Sequence, residues 1–565
     1  MKNALIIIIL FAFVVSNTFA QKSPYKINKE LVSEKAMVVS AHPLASEEGT
    51  AILKKGGNAI DAMVTVQFVL AVVYQRAGNI AGGGFMVYRD RNGQSTTLDF
   101  RETAPAKASR NMFLNKEGKA VDSLSRDGHL AVGVPGSVAG MFEAHSKYGK
   151  LPWADLIEPA VKIAENGFIL TDKDAAEYNK FKSDFLKLNR YEPAFYKKEK
   201  WAAGQKFVQK DLAATLKQIQ KNGRDGFYKG TVADLIVDEM KAGGGIITHE
   251  DLENYQAKWR TALTFSYKKN YKIITMPPPS SGGIVLAQMM NMVENESLEQ
   301  MGFHSAAAIH LMTEVERRAY ADRAEHIGDS DFYPVPIEAM MDKAYAGQRM
   351  RNFNKQTATP SNAIKAGKPT KTAEETTHFS IVDAEGNAVS VTTTLNGNYG
   401  CRVIVKGGGF VLNNEMDDFS AKPGSPNMFG LLGAEANAIQ PNKRMLSSMT
   451  PTIVEKDDKL FAVVGTPGGA TIITSVFQVL MNLIEFRMSL QDAVQKPRFH
   501  HQWLPDQIYH EKNAFESTTM KKLEEMGHKF KERGSIGLVE AILIRPDKKL
   551  EGAADRRYYD SASGY

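Results

Sequence analysis

Between Ser46 and about Val73 apolar residues recur with helical spacing, interrupted once by "KKGGN" at 54–58. Ser46, followed by Glu47 and Glu48, predicts the start of the first helix. The next run, "AIDAMVTVQFVLAVV", is apolar nearly all round and predicts a buried helix; Asp61 and Gln67 inside it argue against a membrane span. "GGGFMVYRD" and "STTLDFRETAP" predict two sheet strands reached through glycines. From about 130 to 350 the pattern is mainly helical. In "DLAATLKQIQKNG" Asp211 is placed to cap, Leu212, Leu216 and Ile219 share a face, and Gly223 ends the helix. "MPPPSSGG", 276–283, predicts a loop, because three prolines do not fit regular structure. "ADRAEHIGDSDF" holds acids and a histidine but lacks the ligand spacing of a calcium loop.

Residues 355–375, "KQTATPSNAIKAGKPTKTAEE", have almost no apolar periodicity and predict a linker that is at least partly mobile. After it come alternating strands. In "TTHFSIVDAEGNAVSVTTTLN" two of them flank a turn at Gly386 and Asn387. A hairpin folded there sets Thr376 opposite residue 394 or 395, so Thr394 becomes its cross-strand neighbour. A threonine hydroxyl needs a base within reach to act as a nucleophile. A chain that begins at threonine supplies its own α-amine, with a reference pKa of about 7.7–8.0. That requires the Glu375–Thr376 bond to be broken, which attack by the Thr376 hydroxyl on the preceding carbonyl can do. The competing reading is that Thr376 and Thr394 are ordinary β-branched strand residues.

Length changes the picture first: 565 residues call for two domains or one large interlocked unit. The net charge of +6 is spread along the chain without a basic run, which speaks against a nucleic-acid partner. Lys2, the apolar "ALIIIILFAFVV" and small residues ending at Ala20 read as a signal peptide over 1–20, and so as export to a periplasm or beyond. Its apolar run is short for a stable membrane span. With Cys401 alone, no intramolecular disulfide can form. Cys401, just past "NGNYG", is expected to be structural at a strand start.

Ten stretches in order, "GGNAIDAMV", "GGGFMVYRD", "LDFRETAPAKA", "VGVPGSVAG", "PPPSSGG", "TTHFSIVD", "NNEMDDFSAKPG", "PNKRMLSSMTPTIV", "GTPGGATIIT" and "PRFHHQWLP", carry a resemblance. From about residue 30 to the C-terminus the chain resembles the γ-glutamyltransferases (γ-glutamyltranspeptidases, or glutathione hydrolases). The resemblance implies an α+β fold of the N-terminal-nucleophile type, a four-layer αββα sandwich. It also implies self-cleavage between Glu375 and Thr376 into a large subunit, 21–375, and a small subunit, 376–565, that stay together as a heterodimer. The reaction implied is γ-glutamyl transfer from glutathione or another γ-glutamyl amide to water, an amino acid or a peptide, with no cofactor and no metal.

Site roles follow from the same resemblance. Thr376 is the nucleophile, Thr394 its hydrogen-bonding partner, and Gly468 and Gly469 the oxyanion-hole pair. A lost donor of that kind costs about 2.7–4 kcal/mol. Arg101 is the donor's carboxylate-binding arginine, assisted by Ser447 and Ser448. Asn396, Glu415 and Asp418 hold its α-ammonium. Phe429 stands in the lid loop, where a tyrosine is common, so an apolar cover is expected without a hydroxyl contact. His378, His500 and His501 are expected to be structural. Two alternatives remain at this stage, a glutaryl-amide (cephalosporin) acylase of the same fold and an inactive binding homologue. Arg101 with the Asn396, Glu415 and Asp418 set argues against the first, and the Thr376, Thr394, Gly468 and Gly469 set against the second.

Overall fold

The computed structural model describes residues 23–193, 195, 200–367, 377–433 and 435–565. The leader expected at 1–20 and both sides of the Glu375–Thr376 bond lie outside the described residues.

Two seven-stranded antiparallel sheets form the centre. The first runs, edge to edge, Ser561–Gly564, Met37–Ser40, Thr377–Val382, Ala388–Thr394, Gly83–Arg89, Ser95–Asp99 and Lys258–Arg260. The second runs Glu30–Ser33, Leu550–Ala554, Glu540–Ile544, Lys459–Gly465, Thr452–Lys456, Tyr271–Thr275 and Leu263–Tyr267. Their inner faces pack through Val39, Phe85, Val87, Ile274, Ile453, Val463 and Ile542, all fully buried. Because the central strands of this layer are covered on both sides, their residues read as apolar runs rather than as clean alternation; Gly83–Arg89 is buried at all seven positions, whereas the edge strand Leu263–Tyr267 alternates.

Helices Pro43–Lys54, Ala59–Val73, Ser137–Tyr148, Trp153–Asn166 and Lys210–Asn222 cover the first sheet. Gly282–Val293, Ala306–His326 and Thr471–Ile484 cover the second. The result is the expected αββα sandwich. Ala59–Val73 is buried at every residue, as its all-round apolarity predicts, and Asn58 and Asp61 close a reciprocal capping box at its start.

Four local expectations change. The first helix begins at Pro43, not Ser46: His42 accepts the Leu44 N–H, and proline suits the first turn because its fixed φ is already helical. The Ser46 hydroxyl instead bonds Ser40 and the Ser561 carbonyl, tying the helix to the sheet edge. Asp211 lies in the first turn of its helix without capping it, while Leu212, Leu216 and Ile219 are buried and Gly223, at φ 59°, ends it as predicted. Within the region expected to be mainly helical, Lys258–Thr275 supplies three strands, of which Lys258–Arg260 and Leu263–Tyr267 are sheet edges. Cys401 is buried in a turn rather than a strand, and burial pushes its thiol up to about 12, so it is inert near neutral pH.

The first part of the predicted linker is held in place. Thr359 bonds Glu314 through both its N–H (3.0 Å) and its hydroxyl (2.6 Å), and Ser361–Ala363 forms a 3-10 turn. Composition predicted mobility because little here is apolar. Polar anchoring to buried charges supplies the order that apolar burial does not.

Candidate active site

The hairpin of Thr377–Val382 and Ala388–Thr394 pairs Val382 with Ala388 and Thr377 with Thr393. Thr394, the next residue on that strand, pairs on its other side with Gly83. Its Oγ1 accepts the Asn396 N–H at 2.7 Å, and its carbonyl accepts Asn79 Nδ2 at 2.8 Å. Asn396 turns the chain away from the strand at φ 69°, a left-handed conformation that asparagine tolerates better than most residues. A Cβ on Gly82 would lie 1.9 Å from the Thr394 carbonyl oxygen, so only glycine fits the close approach at the head of "GGGF".

Asn79 was not singled out in the sequence, yet it organises this end of the sheet. Its Nδ2 also reaches Thr393 Oγ1 (3.2 Å), and its Oδ1 accepts the Gly82 N–H (3.0 Å) and the Ser137 hydroxyl (2.6 Å). The only signal was a polar residue just before a glycine run.

A cavity of about 490 Å³ opens at the same end, with Thr377, Asn396 and Gly468 on its wall beside Tyr74, Arg76 and Tyr558. Gly468 and Gly469 precede the helix Thr471–Ile484, at φ 141° and 64°. The Thr471 hydroxyl and N–H both donate to the Gly468 carbonyl, at 2.7 and 3.2 Å. Neither glycine N–H donates to a described residue.

Arg101 is the centre of a second cluster. Its guanidinium lies 3.3 Å from Glu102, 2.6 Å from Glu415 and 2.8 Å from Asp418, and all four side chains are fully buried. It also donates to the Met445 and Leu446 carbonyls, at 3.3 and 3.4 Å. Burial, reinforced by neighbouring Glu415, drives the Asp418 carboxyl well above the usual carboxylate range, against the pull of Arg101. Arginine and acids that were expected to take opposite ends of a donor are thus paired with one another. They lie more than 300 residues apart in sequence, and Glu102 joins them without having been foreseen. Asn396 connects the clusters, donating from Nδ2 to the Asn414 carbonyl at 3.0 Å, next to Glu415.

The loop through Phe429 is fastened to Asp418 and to its neighbour Asp417. Asn427 Nδ2 donates to Asp418 Oδ1 (3.3 Å) and the Met428 N–H to Asp417 Oδ2 (3.0 Å). Phe429 is half-buried against the core under the second sheet, and its carbonyl accepts Gln502 Nε2 at 3.2 Å. Ser447 Oγ accepts the Met449 N–H, and Ser448 Oγ accepts Arg323 at 2.6 Å.

The chain matches the family model described as Gamma-glutamyltranspeptidase over residues 45–565. The protein belongs to the gamma-glutamyltranspeptidase family. It is 46% identical to a glutathione hydrolase proenzyme of Escherichia coli (strain K12) over 94% of this chain and 92% of that one. A solved Helicobacter pylori gamma-glutamyltranspeptidase chain is 48% identical, with a TM-score of 0.57, over 61% of this chain and 97% of its own length. A cephalosporin acylase from Bacillus halodurans shares the fold, with a TM-score of 0.85 over 96% of this chain and 98% of that one, at 24% identity.

In this gamma-glutamyltranspeptidase the histidines near the site are packed. His378 is fully buried between the hydroxyls of Thr392 and Ser380, each 3.0 Å away, and burial lowers its pKa to about 3, so the ring is neutral. His500 bonds Thr474 and Gln502, and His501 accepts the Trp503 N–H. Among the described residues no group of three or more His, Cys, Asp or Glu side chains is placed to hold a metal ion, and no helix is long and apolar enough to cross a membrane.

Proposed function

We propose that this enzyme cleaves itself before Thr376 and then uses Thr376 to transfer γ-glutamyl groups from glutathione or related amides to water, amino acids or peptides. The observation that carries the reading is the fully buried guanidinium–carboxylate cluster of Arg101, Glu415 and Asp418, joined through Asn396 to the strand end at Thr394. An α-amino-acid head carries one negative and one positive group, and a cluster that sets a planar arginine fork next to carboxylates offers a partner to each. A glutaryl group lacks the amine, so the acylase reading leaves Glu415 and Asp418 without a role.

In this scheme Arg101, with Ser447 and Ser448 behind it, takes the donor's α-carboxylate, and Glu415, Asp418 and Asn396 take its α-ammonium. Binding therefore exchanges the internal ion pairs for pairs to the donor. Extending the Thr377–Thr393 register by one step sets Thr376 against Thr394, whose hydroxyl already bridges to Asn396. Thr376 Oγ attacks the γ-amide carbonyl and its own amine takes the proton. The Gly468 and Gly469 N–H groups then receive the oxyanion, the amine protonates the leaving nitrogen, and water or an acceptor amine resolves the ester. Phe429 covers the donor pocket. The two products of self-cleavage, 21–375 and 376–565, remain one heterodimer, exported behind the leader at 1–20. The share of this chain spanned by the Helicobacter pylori chain is close to that of the large subunit, which supports the division.

The test is glutamate release from glutathione by purified protein, with and without a dipeptide acceptor. Release in both, with a γ-glutamyl dipeptide formed only in the second, is expected. No release under either condition overturns the reading. Gly468→Ala is expected to reduce kcat by about 10²–10³-fold with little change in donor KM. An added Cβ would lie 2.6 Å from Thr471 Oγ1 at a φ of 141° that side chains rarely adopt, so the N–H must shift. Steady-state kinetics on γ-glutamyl-p-nitroanilide checks this.

A further inference from the structure

The cavity of about 490 Å³ beside Gly468 carries charge that the chemistry above does not use. Four cations, Arg76, Lys173, Arg533 and Arg557, line it against one acid, Glu177. Two of the cations are already engaged. Arg557 pairs with Glu511 at 2.5 Å and Asp555 at 2.9 Å, and Lys173 donates to the Arg557 carbonyl at 2.9 Å. Glu177 lies 3.7 Å from Lys180. Arg76 is different. Its guanidinium stands 5.6 Å from the Tyr74 ring centre and 5.1 Å from that of Tyr558, where a cation and an aromatic face attract. The two rings meet edge to face, 5.7 Å apart, and so frame it. Its backbone is fixed as well: the Gly78 N–H closes a turn on the Tyr74 carbonyl at 2.8 Å, and the Arg76 carbonyl accepts the Tyr399 N–H at 2.9 Å. No carboxylate among the described residues pairs with the Arg76 guanidinium. A half-buried arginine on a cavity wall, with aromatic neighbours but no anion, is a place for one to bind.

We propose that Arg76, framed by Tyr74 and Tyr558, binds the carboxylate of the amino acid or peptide that accepts the γ-glutamyl group, and so sets acceptor specificity. The proposal rests on the γ-glutamyl-transfer reading. Gly468, whose N–H receives the oxyanion in that reading, is on the same wall, as is Thr377, the neighbour of the nucleophile. One cavity therefore reaches from the oxyanion turn to Arg76, and its volume falls in the range of about 300–1,000 Å³ that small ligands take. An acceptor lies with its amine at the Gly468 end and its carboxylate at Arg76. The amine attacks the γ-carbonyl of the Thr376 ester. The new C–N bond forms as the C–Oγ bond breaks, and one amine proton passes through the Thr376 α-amine to Oγ. Water needs no such anchor, so Arg76 acts on transfer to amines that carry a carboxylate. The peptide released from glutathione ends in a carboxylate too, and fits the same arrangement in the reverse direction.

The experiment measures transfer from γ-glutamyl-p-nitroanilide to glycylglycine and to glycylglycine amide, which lacks the carboxylate, for wild type, Arg76→Gln and Arg76→Lys. A charge-assisted pair to arginine is worth about 10–100-fold in affinity, so wild type is expected to favour glycylglycine by about tenfold or more in acceptor kcat/KM. In Arg76→Gln the ratio should fall to about one; in Arg76→Lys, which keeps the charge but not the fork, it should lie between. The ratio compares two acceptors on one enzyme sample, so partial misfolding does not move it. Equal use of both acceptors by wild type overturns the proposal, as does a wild-type ratio in Arg76→Gln. If Arg76→Gln forms neither product, Arg76→Lys decides: a lowered ratio supports the proposal and an unchanged one overturns it. If wild type releases no p-nitroaniline, γ-glutamyl transfer itself is what fails.

Discussion

Thr376→Ala is expected to remain one full-length chain through prolonged incubation, while the wild-type chain of 62.3 kDa, less the leader expected at 1–20, resolves into two bands on a denaturing gel. Alanine has no hydroxyl to attack the Glu375 carbonyl, and the unbroken chain has no free amine to serve as base. Two requirements fail together, so glutamate release should fall by about 10⁴-fold or more. Thr376→Ser keeps the hydroxyl and should split and turn over more slowly. Two bands from Thr376→Ala would mean that another group, or a contaminating protease, makes the cut.

The second large effect is expected at Arg101. Arg101→Lys keeps the charge but loses the planar fork, and a lysine cannot reach Glu102, Glu415, Asp418 and the Met445 carbonyl with the same geometry. We expect kcat/KM for γ-glutamyl-p-nitroanilide to drop by about 10²-fold, mostly through KM, because a buried charge pair to the donor is weakened by a few kcal/mol. Arg101→Ala should also lower stability by about 3–5 kcal/mol, since removing the cation strips three buried carboxylates of a shared partner. Calorimetry beside the kinetics separates the two consequences. An unchanged KM in Arg101→Lys would remove Arg101 from donor binding.

Much of this arrangement could be read from residue patterns. The hairpin was legible from Gly386 and Asn387, because period-two strands around a short turn leave few choices; the observed Thr377–Thr393 pair centres the turn on Glu385 and selects residue 394 over 395 of the two registers the sequence left open. The buried helix at 59–73 was equally plain from its lack of a polar face. Less was legible where the chain meets itself from far away. Nothing in "DFRE" indicates that Arg101 will bond Asp418, and nothing near Asn79 points to Thr394, because long-range polar pairing leaves no period in a sequence. The change from polar linker to alternating strands at 376 left open two domains or one interlocked unit. In space residues before and after 376 share both sheets, so the position is a seam running through them.

That seam has a consequence for how the enzyme has to be made. Strands from the two sides of residue 376 interleave: Met37–Ser40 lies between Ser561–Gly564 and Thr377–Val382, Gly83–Arg89 against Ala388–Thr394, Glu30–Ser33 against Leu550–Ala554, and Tyr271–Thr275 against Thr452–Lys456. Neither half has a complete sheet of its own, so each would present bare hydrogen-bonding edges if synthesised separately, and such edges pair indiscriminately. Translating one polypeptide and cutting it only after the strands have found each other enforces one-to-one stoichiometry and correct partners at a single stroke. The cut proposed before Thr376 would then deliver a free amine at a site already built.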